Sequence, residues 1–411
     1  MNSSENKLTF WNFAFLWCGA AISIAEILTG GFMAPLGFKI GLIAILLGHL
    51  IGTTIFVLGG IIGTREKIPA ITSTRMSFGL YGTYLFSVLN VLQLVGWTAV
   101  MIKAAAQSLN LISSSIWSFN NITIWSIAIG VLTALWIAFG MTGFKKINTI
   151  AVLLLFILTL VLGWIIFRSG KLFSAPSGSG ISFGGALELA VVMPISWLPL
   201  IADYTRFARD EKEGAYGSFW GYFIGSSWMF IIGLGAAIIS KNPDPSAMML
   251  AANLGIAAFG IVVLSTVTTT FMDAYSAGVT FLNIVPKLSE KTTAIIMTII
   301  GTLVSLVFPI DNYTNFLYAI GSVFSPLFAI VLTDYFVIKK QTKIEEGMLL
   351  NIGAVIIWAI GVALYYVFIK IDFILGATAP SMIITGILYF IGWRYINTWR
   401  LMKHSKNSYA K

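Results

Sequence analysis

Apolar runs of membrane-spanning length recur along this 411-residue chain, and two of them are broken by glycine or proline where a carboxylate also sits. The first reads Ile24-Ala25-Glu26-Ile27-Leu28-Thr29-Gly30-Gly31, with Pro35 beyond it. The second contains Pro194-Ile195-Ser196-Trp197-Leu198-Pro199. In hydrocarbon an unpaired backbone N–H or C=O is expensive, so a membrane helix gives up its hydrogen-bond ladder around a polar cavity. The pattern points to a transporter.

With 58% apolar and 10% charged residues, the chain has too little charge to cover a soluble domain of its length, so the surplus apolar surface must face lipid. The single cysteine, Cys18, allows no internal disulfide. His49 and His404 lie far apart, which argues against a histidine metal site. The net charge of +9 comes from basic residues that punctuate apolar runs instead of forming a patch, so a nucleic-acid partner is excluded. Met1 to Lys7 has none of the parts of a signal peptide, and the first run is expected to remain as a span.

Counting about 20 apolar residues per crossing gives about twelve spans. They are expected near 11–37, 40–63, 83–109, 122–141, 148–168, 188–208, 215–239, 258–285, 292–310, 314–338, 347–369 and 378–397, with a short helix over Ser246–Leu254. The interrupted spans are the first and sixth, the spacing of a five-helix unit repeated in opposite orientation, with two spans appended. The expected divisions are a tail over 1–10, repeats over 11–168 and 188–338, two additional helices over 347–397 and a tail over 398–411. Cations gather on one set of loops, from Lys7, Arg65, Lys67 and Arg75 to Lys339, Lys340, Lys343 and the C-terminal group. Only Lys39, Arg168, Lys171, Lys241 and Lys370 fall on the other side. The bias puts both termini in the cytoplasm. Composition and short termini suggest a bacterial cytoplasmic membrane.

Inverted repeats place substrate and ion sites near the midplane, where half-helix ends and freed carbonyls face each other. Glu26 lies at the first break, and an intramembrane carboxyl is a functional candidate by default; the alternative is a protonated glutamate bonded to its own helix backbone. Gln93 and Trp97, four apart, share a helix face, and an indole plus an amide suit a planar heterocycle, although a core tryptophan would read the same way. Ser196 and Trp197 sit at the second break. Ser265, Thr268 and Thr269, at i, i+3 and i+4, precede Asp273 and Ser276 on or near one face. Such a row of hydroxyls opposite released carbonyls would suit a small hard cation; alternatively the hydroxyls bond back to their own helix. Lys103 is read as snorkelling, and Asp203, Arg206 and Asp334 as groups that lock helix ends or a gate. No phosphate-cradling Gly-x-x-x-x-Gly-Lys loop and no Ser/His/Asp arrangement is present, so an enzyme is not expected.

Three segments carry a family resemblance: Arg75-Met76-Ser77-Phe78-Gly79, Ala202-Asp203-Tyr204-Thr205-Arg206-Phe207, and Ser325-Pro326-Leu327 continuing to Thr333-Asp334-Tyr335-Phe336 and Lys339-Lys340. With the span pattern, they make the chain similar to the nucleobase cation symporter family, which includes cytosine permeases and hydantoin, allantoin and uracil carriers. The resemblance implies an all-α integral membrane protein with the five-plus-five inverted repeat of the leucine-transporter type, and sodium or proton symport by alternating access without any other cofactor. It implies a sodium site from the carbonyls of Gly19 and Ser23 with Ser265, Thr268 and Thr269. It also implies a substrate site from Trp97 and Gln93, beside Glu26, Ser196, Trp197 and Asp273. The family's second stacking aromatic maps onto Pro194, with Trp197 one turn on.

Glu26 and Thr270-Phe271-Met272-Asp273 depart from the asparagine-rich pattern of cytosine permeases and look most similar to the branch carrying hydroxymethylpyrimidine, a thiamine precursor. A 4-aminopyrimidine offers an exocyclic amine beside a ring nitrogen for a carboxyl to engage. The expected substrate is therefore hydroxymethylpyrimidine. The alternative is cytosine or another nucleobase or hydantoin, and a more distant rival is the membrane subunit of an ATP-driven complex. Oligomeric state is left open.

Overall fold

The computed structural model describes residues 7–139, 153, 156–157, 159–170, 172–173, 180–241, 255–309, 312–339, 344–345 and 347–402. The expected Ser246–Leu254 helix, the start of the fifth span and both extreme termini lie outside them. Helices follow the expected spans in order. The first span is two helices, α1 (Phe10–Ala21) and α2 (Ile24–Gly31). Then come α3 (Gly37–Glu66), a short α4 (Ala70–Ser73), α5 (Arg75–Trp117), α6 (Ile122–Phe139) and α7 (Thr159–Arg168). The sixth span is again split, into α8 (Phe183–Ser196) and α9 (Ile201–Thr205). It is followed by α10 (Glu211–Ser240), α11 (Gly255–Phe281), α12 (Glu290–Val307), α13 (Tyr313–Leu332), α14 (Ile352–Lys370) and α15 (Thr378–Ile396). Side chains such as Leu92, Leu303 and Ile391 stand more than 60% exposed on the outer faces. A belt of that kind is stable only against hydrocarbon.

The short α4 and a two-stranded antiparallel ribbon of β1 (Met348–Asn351) and β2 (Arg400–Met402) are absent from the sequence reading, and β1 takes the place of the expected start of the 347–369 span. The ribbon packs where α5 begins. Gly79 has φ +77°, a left-handed conformation that glycine adopts without strain, and its Cα faces the Leu349 backbone. The straight part of α5 therefore starts past Gly79, near the expected start of the span, and Arg75–Gly79 is a hooked entry.

The resemblance-bearing segments meet here. Asp203, at the end of the split sixth span, accepts the Ala70 N–H through Oδ1 (3.1 Å), which starts α4. Asp334, where α13 runs on as a π-helical turn over Thr333–Lys339, accepts the Ser77 hydroxyl through Oδ2 (2.8 Å). Asn351 donates its side-chain N–H to the Ser77 carbonyl (3.0 Å). Both carboxylates thus hold the segment between α3 and α5. Arg206 turns away from the Asp203 carboxyl and donates to that residue's backbone carbonyl instead (3.1 Å).

At the centre, α10 packs along both halves of the broken first span and along α3. Backbones approach closely at Gly30 and Gly233: a Cβ on Gly30 would strike the Phe230 carbonyl, and one on Gly233 the Ile27 carbonyl. These obstructions are backbone and cannot rotate away. Gly233→Ala is expected to cost about 1–3 kcal/mol through overpacking, read as a lower unfolding midpoint in detergent, with the exposed Leu92→Ala as a control.

The remaining long-range anchor lies between α8 and the last two helices. Glu188, 1% exposed, accepts from the Tyr365 hydroxyl (2.7 Å) and Thr378 hydroxyl (2.7 Å) on Oε1, and from the Ala377 N–H (2.6 Å) and Thr378 N–H (2.8 Å) on Oε2. The carboxyl thereby satisfies two of the amide donors that the start of α15 leaves without intrahelical partners.

Candidate functional site

Both breaks follow from local chemistry. In the first, an unbroken helix would have Ser23 give its N–H to Gly19; instead the N–H turns to the Ala21 carbonyl (2.9 Å), which withdraws the helical donor from Gly19. Ser23 then takes an extended conformation and caps α2, its hydroxyl oxygen accepting the Glu26 N–H (3.3 Å) and its carbonyl the Ile27 N–H (3.4 Å). In the second, Pro199 has no N–H, and the Leu200 N–H goes to Trp197 (3.1 Å). The Ser196 carbonyl is freed, and the Gln93 side-chain N–H takes it (3.0 Å). The Ser196 hydroxyl donates to the Met193 carbonyl (2.6 Å).

Between the breaks lies a narrow cavity lined by Ser23, Ala25, Glu26, Trp97, Met101, Met193, Trp197, Thr269 and Asp273. Four of the six residues expected at the substrate are therefore on one wall or another: Glu26, Trp97, Trp197 and Asp273. Gln93 and Ser196 are not lining residues; they bond to each other and to Asn90 and Met193. Trp97 is held edge-on by Tyr313 (6.0 Å between ring centroids) and Phe316 (5.5 Å). Trp197 packs edge-on against Trp17 (5.7 Å). Each repeat supplies one indole. Met101 and Met193 carried no signal in the sequence, because isolated methionines in apolar helices are ordinary core residues.

The two carboxyls differ in their partners. Glu26 Oε1 accepts from the Tyr222 hydroxyl (2.8 Å), and Oε2 lies 2.6 Å from Ser226 Oγ, so α10 occupies both oxygens. The partners belong to another span and not to the carboxyl's own helix backbone. Asp273 is 3% exposed, faces the cavity, and has no hydrogen-bond partner among the described residues. A buried polar group left in that state costs free energy unless a ligand completes it.

Of the residues expected to hold a cation, Thr269 lines the cavity with its Oγ1 unpartnered, and Gly19 has the carbonyl released by the break. Ser265 donates to the Val262 carbonyl (3.4 Å) and Thr268 to those of Leu264 (2.9 Å) and Ser265 (3.1 Å). A hydroxyl that donates its hydrogen keeps lone pairs free, so these bonds remain compatible with a hard cation. Ser23 caps α2 with its hydroxyl, and its carbonyl, among the described residues, accepts the Ile27 N–H alone (3.4 Å), which leaves it a lone pair. Each of the five expected donors therefore keeps an oxygen able to face a cation.

A family model described as permease for cytosine/purines, uracil, thiamine, allantoin matches residues 1–392. The chain belongs to that permease family. It is a transporter and not an enzyme, and it is a multi-pass membrane protein. The permease is 26% identical over 394 residues to the cytosine permease of Escherichia coli (strain K12), covering 91% of this chain and 90% of that protein. It is 21% identical over 419 residues to the hydantoin permease of Microbacterium maritypicum, covering 94% and 84%. Among solved structures it is similar to Mhp1, a nucleobase-cation-symport-1 family transporter, in a closed conformation with bromovinylhydantoin bound (TM-score 0.81, 19% identity, 97% and 96% of the two chains). It also resembles a Na+-coupled sialic acid symporter (TM-score 0.68, 13% identity, 98% and 92%). These likenesses establish the all-α membrane transporter fold with inverted repeats.

Proposed function

We propose that this permease imports a 4-aminopyrimidine nucleobase of the cytosine type by cation symport with alternating access, with both termini cytoplasmic. The observation that carries the reading is the cavity itself, lined by an indole from each repeat, Trp97 and Trp197, and by the unpartnered carboxyl of Asp273. Flat indoles suit a heterocyclic ring, and a carboxyl suits an exocyclic amine beside a ring nitrogen. Asp273, with both oxygens free, takes the role that the sequence assigned to Glu26. The 26% identity to a cytosine permease supports cytosine as the first candidate, with the Thr269 hydroxyl available as a donor for its ring carbonyl.

Hydroxymethylpyrimidine remains the second reading because it lacks the ring carbonyl of cytosine, and the Gln93 side-chain N–H that could serve such a carbonyl donates to Asn90 and Ser196. Coupling to sodium through Gly19, Ser23, Ser265, Thr268 and Thr269 is part of the proposal.

The test is uptake of labelled cytosine into vesicles containing only this protein, under an imposed sodium gradient or an imposed proton gradient. Unlabelled 4-amino-5-hydroxymethyl-2-methylpyrimidine serves as competitor. Sodium-driven accumulation that the competitor barely reduces supports the proposal. Strong competition moves the assignment to the second reading, and absence of gradient-driven uptake of either compound rejects both. Trp97→Ala is expected to weaken binding by about 1–3 kcal/mol, roughly 5- to 150-fold, as base–aromatic stacking does elsewhere. Trp97→Phe should lose much less, and a binding isotherm on the purified variants distinguishes them.

A further inference from the structure

Behind the cavity a chain of hydrogen bonds runs from Glu26 through Ser226 to His49 on α3. His49 is fully buried. Its Nδ1 lies 2.9 Å from the Ile45 carbonyl and its Nε2 2.6 Å from Ser226 Oγ, which is also 2.6 Å from Glu26 Oε2. A carbonyl can only accept, so Nδ1 carries the hydrogen there, and a neutral imidazole then presents a bare lone pair at Nε2.

Ser226 has one hydrogen and two acceptors in reach. If it donates to His49, the contact with Glu26 needs a hydrogen from the carboxyl. If it donates to Glu26, the contact with His49 needs a second hydrogen on the imidazole. The chain is therefore short of one hydrogen unless a proton resides in it. The second arrangement buries an imidazolium and a carboxylate apart from each other, while the first buries only neutral groups and leaves every contact bonded. Burial favours the first.

We propose that His49 is a positioning residue for the substrate cavity: acting through Ser226, it holds Glu26 as a neutral carboxylic acid that donates from Oε2 and accepts from Tyr222 at Oε1. The other titratable groups packed around Glu26 agree with this. Tyr222 on α10 donates to it; Tyr313 on α13 is bonded to Thr29 (2.9 Å), one turn further along α2. Asp273 on α11 lines the same cavity and offers Glu26 no counter-charge that would favour a carboxylate there. The consequence is a division of labour in which Asp273 meets the ligand and Glu26 stays a neutral part of the cavity wall.

The test does not depend on the substrate assignment. The chain has two histidines, so His404→Asn leaves His49 alone for 15N-histidine NMR of the purified protein. The expected spectrum is a neutral ring protonated at Nδ1 at neutral pH, and infrared difference spectra of wild type against Glu26→Gln should show loss of a carboxylic-acid C=O stretch. The Glu26→Gln side chain reproduces both bonds, its amide N–H facing Ser226 and its carbonyl Tyr222, so the variant should fold. Loss of a carboxylate stretch in Glu26→Gln, or an imidazolium at His49 at neutral pH, would overturn the proposal.

Discussion

Glu188→Ala should be the most damaging single truncation outside the cavity. It removes the acceptor of four hydrogen bonds and leaves the buried N–H groups of Ala377 and Thr378 without partners. Each orphaned buried donor costs about 1–3 kcal/mol, so a loss of roughly 2–6 kcal/mol is expected. The Tyr365 and Thr378 hydroxyls can rotate toward other acceptors, but the two amides cannot. Glu188→Gln separates the causes: its carbonyl can serve the two amides while its NH2 faces hydroxyls that turn to accept. The order of unfolding midpoints in detergent should be wild type, then Gln, then Ala well below. Equal midpoints for wild type and Ala would mean that the last two helices are held elsewhere.

Asp273→Ala is expected to act with opposite signs on stability and binding. In the empty protein it removes a buried carboxyl with no partner among the described residues, so the unfolding midpoint should rise. Under the proposed function the same change deletes the hydrogen bonds to the exocyclic amine and the ring nitrogen beside it, a loss of about 1–3 kcal/mol or roughly 5- to 150-fold in affinity. Asp273→Asn should retain most of the affinity, because its carbonyl accepts from the exocyclic amine and its N–H donates to the ring nitrogen beside it. Calorimetric titration with cytosine measures the affinity, and scanning fluorimetry without ligand measures the stability. A variant that bound as tightly as wild type would remove Asp273 from the site. A variant less stable than wild type when empty would show that the carboxyl has a structural role.

The sequence exposed the scaffold well because hydrocarbon makes span length and backbone satisfaction strict requirements. Pro199 marked the second break. At the first, Gly30, Gly31 and Pro35 carried the signal, but Ile24–Gly31 is helical and the ladder breaks before it, at Ile22 and Ser23. Trp97 and Asp273, both read from the sequence as site residues, line the cavity. What could not be read is which polar group faces which neighbour across spans distant in sequence. Nothing local tells that Gln93 is used up on the Ser196 carbonyl, that Glu26 is taken by Tyr222 and Ser226, or that Asp203 reaches Ala70. The ribbon of Met348–Asn351 with Arg400–Met402 was missed for the same reason: its strands are short, and their pairing is set by the helices between them. His49 had a readable signal, since a titratable residue inside a span is rare enough to ask about.

The segment from Ala70 to Ser77 is clasped by two carboxylates, Asp203 following the break of one repeat and Asp334 ending a helix of the same repeat some 130 residues later along the chain. A short strap fastened at two points behaves as a coincidence device. Movement of one fastening alone strains the strap against the other, so the ends of the sixth and tenth spans must shift together or one buried bond must break first. Partial opening at this end is thereby penalised, and leakage through a half-turned intermediate is suppressed by a part of the chain that never touches the cargo.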